Sequence, residues 1–223
     1  MHLQRQIDRI NRRLLELGDR VGQAVKDAIH AIQSDDIALA ESVIENDALI
    51  DLAEVEIEEE CLQTLALNQP VAYDLRYLVA TLKLNNDLER IGDLAVNIAE
   101  AAVALSKLGG DEPPPYDLEG MGRIVRLMVD NSQDALVSID SRLAEQVRQR
   151  DDEVDQMHRE MYRKIENAIR RDPELVQRYI LFLNVSRHLE RIADHAVNIA
   201  EDVIYLAEGR VPRRRHSEGA GLE

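Results

Sequence analysis

Apolar residues recur every three or four positions along most of the chain, which is the period of amphipathic helices. The first helix carries them at Ile7, Ile10, Leu14, Leu17, Val21, Val25, Ala28 and Ile32. The pattern predicts helices over residues 3–33, 37–67, 73–106, 118–139, 142–170 and 174–208. Turn-forming sequences separate them, such as Ser34-Asp35-Asp36, which also supplies an N-cap for the second helix.

Part of the sequence of the third predicted helix is repeated in the sixth. Residues 88–100 (LERIGDLAVNIAE) and 189–201 (LERIADHAVNIAE) are identical at eleven of thirteen positions. Such identity within one chain indicates a tandem duplication. Because short loops force neighbouring helices to run antiparallel, we expect an all-α fold of two tandem, pseudo-symmetric antiparallel three-helix bundles.

Between the two repeats lies a segment that breaks the helical pattern. Residues 109–116 (GGDEPPPY) contain two glycines and three prolines, so they form a linker that is semi-rigid at its proline end. We therefore predict a first bundle over residues 1–108, this linker, a second bundle over 117–208 and a disordered tail over 209–223.

The composition agrees with a helical bundle and restricts the partners. Aromatic residues make up 3% of the chain and Trp is absent, whereas strand-rich folds favour aromatic residues. The net charge of −16 repels nucleic acid and attracts cations. The single cysteine, Cys61, favours a reducing compartment. No apolar run approaches the roughly 20 residues of a membrane span, so we expect a cytoplasmic protein without membrane insertion and without a nucleic-acid partner.

Acidic residues form stripes on the second and third helices of each repeat. On the second helix the stripe is about 60° wide on a helical wheel and consists of Asp47, Asp51, Glu54 and Glu58. The third helix carries Glu89 and Asp93 nearly opposite its apolar seam, so a site built from them would lie on the bundle surface. The aligned positions of the second repeat are Asp151, Asp155, His158 and Tyr162, followed by Glu190 and Asp194.

The stripes on the two helices lie at the same height in each bundle. With the hairpin tip near residue 69, the Asp47/Asp51 and Glu89/Asp93 pairs are centred about 20 and 22 residues from it, a mismatch of about 3 Å along the axis. The pairs of the second repeat are equally level. Four carboxylates at one height on adjacent helices, present twice, are typical of a site for a hard cation or a multinuclear metal cluster.

Other interpretations of the stripes stay open at this point. Acids on the polar face of a helix are usually solvated, and Arg90 and Arg191 lie beside the stripes and could balance part of the charge without metal. His158 would be a good ligand as a neutral imidazole, but a lone surface histidine is ordinary. The sequence leaves its role undecided.

Three sets of residues resemble the PhoU family: residues 69–76 (QPVAYDLR), residues 87–93 (DLERIGD), and the Asn-Ile-Ala-Glu ending of each repeat. The resemblance covers about residues 3–208. It implies two three-helix bundles with metal clusters held on the surface by E(D)-x-x-x-D motifs. Those motifs match Asp47/Asp51, Glu89/Asp93, Asp151/Asp155 and Glu190/Asp194. The resemblance favours iron, while carboxylate ligands also suit manganese, magnesium or calcium, and imidazole would admit zinc.

The resemblance also implies a function. PhoU-like proteins are expected to be cytoplasmic negative regulators of the phosphate-starvation response, which couple the ATPase subunit of the phosphate ABC transporter to a sensor histidine kinase. No nucleophile–base pair or Gly-rich phosphate loop is recognisable in the sequence, so we expect a regulatory adaptor and not an enzyme.

Two other functions compete with this one. A ferritin-like di-metal carboxylate oxidase needs Glu-x-x-His on two helices of a four-helix core, whereas the nearest match, Asp155-x-x-His158, occurs once and faces away from the seam. A plain helical scaffold would leave the stripes free of metal. The sequence also leaves open whether the chain forms a homodimer.

Overall fold

The computed structural model describes residues 2–110 and 112–209, and these residues form helices and short connections without a strand. The helices are α1 (His2–Ser34), α2 (Ile37–Asn68), α3 (Ala72–Leu108), α4 (Leu118–Ser138), α5 (Ser141–Arg171) and α6 (Val176–Glu208). The predicted all-α fold of two three-helix bundles is confirmed, and the predicted helix ends lie within two residues of the observed ones. The domain limits drawn from the sequence stay a prediction. From Arg210 onward, the predicted tail lies outside the described residues.

Like the end of the third helix, the start of the sixth helix lies two residues beyond its prediction. The chain enters it through a short 3₁₀ helix, Pro173–Leu175, and α6 begins only at Val176. The Leu175 N–H donates to the Asp172 carbonyl at 3.3 Å, which is the i→i+3 bond of such a turn. Proline fits this first position because its fixed φ suits a helix start and its missing N–H would have no intrahelical partner there.

Aspartates cap the helices that follow tight turns. Asp36 accepts a hydrogen bond from the Leu39 N–H at 3.0 Å, so the predicted cap of α2 is observed. Asp140 plays the same role in the second repeat and accepts from Leu143 N–H at 3.2 Å. A side-chain cap of this kind stabilises a helix by about 1 kcal/mol. Asp36 and Asp140 occupy aligned positions, so α2 and α5 begin at equivalent residues of the two repeats.

The core runs without a break through both bundles. Helices α1, α2 and α3 pack together, as do α4, α5 and α6, while α3 and α6 pack against each other at the centre. The predicted seam of α3 is buried along its length, and consists of Leu88, Ile91, Ala95, Ile98, Ala102 and Leu105. Residues of all six helices belong to one hydrophobic cluster. A smaller cluster at one end includes Met161, Tyr179 and Phe182. The two bundles are therefore halves of one packed body.

None of the helices in the described ranges combines the length and the apolarity needed to cross a membrane.

Candidate metal centre

Helices α2 and α3 bring three aspartates of the first bundle together. One carboxylate oxygen from each of Asp47, Asp51 and Asp93 lies within 4.8 Å of the other two. Asp51 is exposed and the other two are partly buried, so the group opens to solvent on one side. We name it the α2–α3 cluster. Three of the four residues predicted for this bundle thus converge, at the expected height and on the expected surface.

The α2–α3 cluster contains a buried oxygen without a hydrogen-bond partner. Asp47 Oδ1 is shielded from solvent, and the described residues offer it no donor. A Cβ atom built on Gly92 would lie 3.7 Å from that oxygen and 3.2 Å from Ile50 Cγ2. The glycine therefore allows α3 to approach α2 closely beside the cluster. A buried carboxylate oxygen without a donor is unfavourable unless a cation or another group satisfies it.

Glu89, the fourth predicted residue, lies beside the cluster but contributes no oxygen to the group of three. The guanidinium of Arg90 joins it to the cluster: Nε lies 3.5 Å from Glu89 Oε2, and Nη1 donates to Asp93 Oδ2 at 3.2 Å. Arg90 thus balances part of the charge, as the sequence suggested. The Arg90 side chain is half exposed. Among the described residues, neither Arg90 nor any other group donates a hydrogen bond to the buried Oδ1 of Asp47.

The acids of the cluster raise one another's proton affinity. Burial is the main cause that raises the pKa of Asp47, and the charges of Asp51 and Asp93 add to it. Burial likewise raises the pKa of Glu89, with Asp93 as the largest repelling neighbour and Arg90 acting in the opposite direction. The cluster therefore holds its negative charge at a cost in free energy that a bound cation would relieve.

The four acids predicted for the second bundle lie close enough to affect one another's pKa. Burial raises the pKa of Asp151 to about 6, and Asp194 and Asp155 are its largest repelling neighbours. Burial followed by the charges of the same two aspartates also raises the pKa of Glu190. Within the described residues, however, only the first bundle has three such oxygens within 4.8 Å of one another. Metal binding by either set of residues stays a prediction.

His158 takes the place that Glu54 has in the first bundle. Its Nδ1 lies 2.8 Å from Ser186 Oγ on α6, so only Nε2 is left for another ligand. In the first bundle, the amide of Asn85 on α3 donates to the Glu54 carbonyl at 2.9 Å and to its Oε1 at 3.2 Å. Burial lowers the pKa of His158 and favours the neutral imidazole, the form that binds metals. The two contacts tie the second helix to the third in both halves.

An arginine occupies the second bundle where the first has an apolar residue. Arg148 Nε lies 3.3 Å from Glu201 Oε1, and the residue aligned with Arg148 on α2 is Ile44. The acidic face of the second bundle, formed by Asp151, Asp155, Glu190 and Asp194, therefore has a permanently charged arginine beside it. The two faces share the E(D)-x-x-x-D pattern but differ in charge balance, and the sequence prediction of matched sites did not include this difference.

Four contributors to the two faces were not singled out from the sequence: Gly92, Asn85, Ser186 and Arg148. Asn85 and Ser186 lie at the same position of the two repeats, 101 residues apart, and both are buried. A buried polar residue at one place in both copies was the available signal. His195 Nδ1 on α6 lies 2.7 Å from Asp87 Oδ1 on α3.

The donor set of the α2–α3 cluster fits a hard cation. It consists of carboxylate oxygens on two rigid helices, one of which is buried without a donor. Carboxylates suit Fe, Mn, Mg and Ca, and the open side leaves room for water or for further ligands such as Glu89. Asp47, Asp51 and Asp93 are therefore the residues that would hold a metal in this bundle.

Comparison with known proteins agrees with this architecture. The PhoU domain family matches the chain twice, over residues 14–102 and 118–203. The phosphate-specific transport system accessory protein PhoU homolog of Aquifex aeolicus is 38% identical over 99% of this chain and 100% of its own. The homolog of the same name from Pseudomonas aeruginosa is also 38% identical, over 92% of this chain and 84% of its own.

Solved structures show the same fold. The crystal structure of PhoU from Pseudomonas aeruginosa has a TM-score of 0.91 and 37% identity, and the match covers 93% of this chain and 99% of that one. The phosphate transport system regulatory protein PhoU from Streptococcus pneumoniae has a TM-score of 0.85 at 28% identity, with 95% and 99% covered. The resemblance inferred from the sequence is confirmed, and the chain belongs to the PhoU family.

Proposed function

We propose that this protein is a metal-binding regulatory adaptor of phosphate transport. The observation that carries the metal-binding half is the α2–α3 cluster, in which three aspartates converge around a buried oxygen without a donor. A bound cation would neutralise the cluster and fix α2 against α3. Iron is the first candidate on family grounds, and manganese, magnesium or calcium would suit the same oxygen ligands.

The phosphate half of the proposal rests on the relatives. Those from Aquifex aeolicus and Pseudomonas aeruginosa are named accessory proteins of the phosphate-specific transport system, and the Streptococcus pneumoniae protein is named a regulator of phosphate transport. The match to the first of them spans its whole length. We infer the same accessory role for this chain.

A more specific proposal concerns the partners of the protein and whether it activates or represses the phosphate-starvation response. We infer that the protein works in the cytoplasm, contacts the ATPase subunit of the phosphate ABC transporter and a sensor histidine kinase, and represses the phosphate-starvation response when phosphate is plentiful. The strongly acidic surface supports protein partners with basic patches over nucleic acid.

We propose no catalytic activity. The relatives are named accessory and regulatory proteins, in agreement with a role in signalling. A ferritin-like oxidase would need carboxylates that project into a four-helix core, whereas the acids of this chain lie on the outer side of three-helix bundles and Asp51 is exposed.

A deletion strain tests the regulatory role. In cells grown at high phosphate, loss of the gene should raise alkaline phosphatase activity, and a plasmid copy should restore repression. Unchanged phosphatase activity would refute the proposal. Complementation with the Asp47→Asn/Asp93→Asn double variant then shows whether repression requires the cluster. Glu41→Gln/Glu45→Gln, which also removes two charges, both exposed on α2, is the charge-matched control.

The partners are tested by a pull-down from cells at high phosphate. The transporter ATPase subunit and the histidine kinase should be recovered with the tagged wild-type protein, and should be absent from a tag-only control. Recovery of neither protein would contradict the adaptor role.

A further inference from the structure

Helix α2 carries a second apolar stripe that the bundle does not use. Leu52, Val55 and Leu62 are 57%, 48% and 51% exposed. Exposed Ala48 and Ala66 extend the stripe in both directions. We name these five residues the α2 seam. Exposed leucines and valines that occur singly need no explanation, but a row of them on one helix face, interrupted only by Glu59, indicates a binding surface.

The spacing of the α2 seam is that of a coiled coil. Positions 48, 55 and 62 are seven residues apart, as are positions 52, 59 and 66, and the two sets interleave in steps of four and three, which is the heptad pattern of a coiled coil. Glu59 occupies one of these positions and the rest are apolar. The row spans 18 residues, or about 27 Å at 1.5 Å per residue. That length suits one partner helix of about three heptads.

The α2 seam is separate from the face that α2 buries. The buried residues of this helix include Val43, Ile50, Ile57 and Cys61, which pack on the bundle core. The acidic stripe lies between this face and the seam on the helix surface. Packing within the bundle therefore does not account for the exposed row.

The second bundle provides an internal comparison. The six aligned positions on α5, each 104 residues further along, are all exposed and all polar: Asp152, Gln156, Arg159, Arg163, Glu166 and Arg170. The same fold is thus built there without an outward apolar row. The α2 seam is a feature of the first bundle alone and is not required by the architecture.

Acidic residues flank the α2 seam chiefly on one side. Asp51 and Glu58 lie at the positions next to it on one side and are exposed. Glu56 and the half-exposed Leu49 lie on the other side, where Glu56 forms an ion pair with Arg13 at 3.1 Å. In coiled coils the residues that flank the seam set the choice of partner through their charge. The acidic flank of Asp51 and Glu58, on a chain with a net charge of −16, favours a helix with basic flanks and repels an acidic one.

We propose that the α2 seam docks one amphipathic helix of a partner protein, whose apolar seam is flanked by lysines and arginines. A second copy of this chain does not fit, because pairing two α2 helices would bring their acidic flanks together. The chain's own basic segment, residues 210–216 (RVPRRRH), has no apolar repeat to fill the seam. The inference rests on the proposed adaptor function and deepens it, since it assigns the surface and the chemistry of one partner.

Two synthetic helical peptides of about three heptads test the docking. Both carry leucine at the seam positions. One has lysine and the other glutamate at the flanking positions, so neither peptide pairs with itself. Binding to the full chain is measured by fluorescence anisotropy at about 0.15 M salt, where screening limits general attraction to the acidic surface. The variants are Leu52→Ser/Leu62→Ser on the seam and, as a control, Val137→Ser, an exposed apolar residue of α4.

The lysine peptide should bind the wild-type protein at least about tenfold more tightly than the glutamate peptide does. Leu52→Ser/Leu62→Ser should weaken binding of the lysine peptide about tenfold or more, because two leucines leave the contact. Val137→Ser should bind like the wild type. Equal binding of the lysine peptide to the wild type and the seam variant would overturn the proposal, because the attraction would then be to charge alone.

A gain of binding provides the reciprocal test. Gln156→Leu/Arg159→Val/Glu166→Leu places the α2 pattern on α5 and should add a second site for the lysine peptide, so that two peptides bind per chain. Light scattering tests whether a second copy of this chain occupies the α2 seam instead. If the wild type is a dimer and Leu52→Ser/Leu62→Ser is a monomer, the seam serves self-association and the proposal is overturned. Failure of these tests leaves the alkaline phosphatase result of the adaptor proposal unaffected, so the two can fail separately.

Discussion

At the scale of single residues, the fold keeps carboxylates of both acidic faces partly buried and close enough to repel one another. Asp151 shows this most clearly, since burial and the nearby Asp194, Asp155, Asp152 and Glu201 raise its pKa to about 6. Burial also raises the pKa of Asp47 in the first bundle. An aspartate whose folded pKa exceeds its unfolded value of about 3.9 binds protons more strongly in the folded state. Its ionisation therefore weakens the fold.

In metal-free protein, the contribution of these carboxylates to stability should consequently fall as the pH rises. For Asp151 the loss begins near the unfolded pKa of about 3.9 and is complete above the folded pKa of about 6. At pH 7 Asp151→Asn should be more stable than the wild type by roughly 1 kcal/mol, a figure reduced for the partial exposure of the group. At pH 4 the gain should disappear. Urea unfolding with chelator present, at both pH values, measures it.

Glu153→Gln serves as the control for that measurement, because Glu153 is exposed on the same helix and is not among the neighbours that raise the pKa of Asp151. This variant should change stability little at either pH. A stability gain of Asp151→Asn that is the same at pH 4 and pH 7 would show that ionisation of Asp151 is not the cause.

At the scale of helices, the contact between α3 and α6 joins the two bundles through a polar bridge. Buried Asp87 on α3 receives hydrogen bonds from two residues of α6: its Oδ1 lies 2.7 Å from His195 Nδ1 and 3.2 Å from Asn198 Nδ2. Nearby, Lys83 Nζ lies 3.2 Å from Asp202 Oδ1, in a more exposed position. The bridge fixes how the two central helices face each other.

Removal of the Asp87 carboxylate should destabilise the protein. Asp87→Ala leaves the polar atoms of His195 and Asn198 without their acceptor in a partly buried place, which costs about 1–3 kcal/mol. Thermal unfolding followed by circular dichroism measures the loss. Arg170→Ala, which breaks the exposed ion pair of Arg170 with Glu166 on α5, should have a much smaller effect. Equal effects of the two substitutions would contradict the assigned role of Asp87.

At the scale of the whole molecule, the continuous core makes the two bundles dependent on each other. Apolar residues of α3 and α6 belong to one cluster with residues of the other four helices. Separation of the bundles would expose the central faces of both helices. The fold is therefore expected to behave as one cooperative unit although its sequence is a duplication.

Unfolding should accordingly occur in a single step. The two repeats should unfold together in scanning calorimetry, with equal calorimetric and van't Hoff enthalpies. Urea curves from circular dichroism and from tyrosine fluorescence should coincide. Two resolved transitions would show that the bundles are independent domains.

The sequence predicted the helices well because each buries one face along its length, and a long repeat of three and four residues is a strong signal. It also predicted that Asp47, Asp51 and Asp93 share one height, since height follows from the rise per residue. Convergence of side chains could not be predicted in the same way. It depends on the separation and rotation of two helices, which here involves the close approach at Gly92.

The differences between the two acidic faces were harder to predict for the same reason. Repeat alignment treats aligned positions as equivalent, but Ile44 and Arg148 share a position and change the charge beside the acids. The packing of α3 on α6 was also not predicted, because the period of one helix does not reveal which other helix covers its second buried face.

The central claim is that the α2–α3 cluster binds a metal ion, and a titration tests it most directly. Chelator-treated wild-type protein, Asp47→Asn, Asp93→Asn and the charge-matched control Glu45→Gln are titrated with Mn²⁺ by calorimetry. Affinity should fall at least about tenfold in each aspartate variant, because the charge count of the ligands sets the affinity for hard cations. Glu45→Gln should bind like the wild type. The same affinity in all four proteins would contradict the claim.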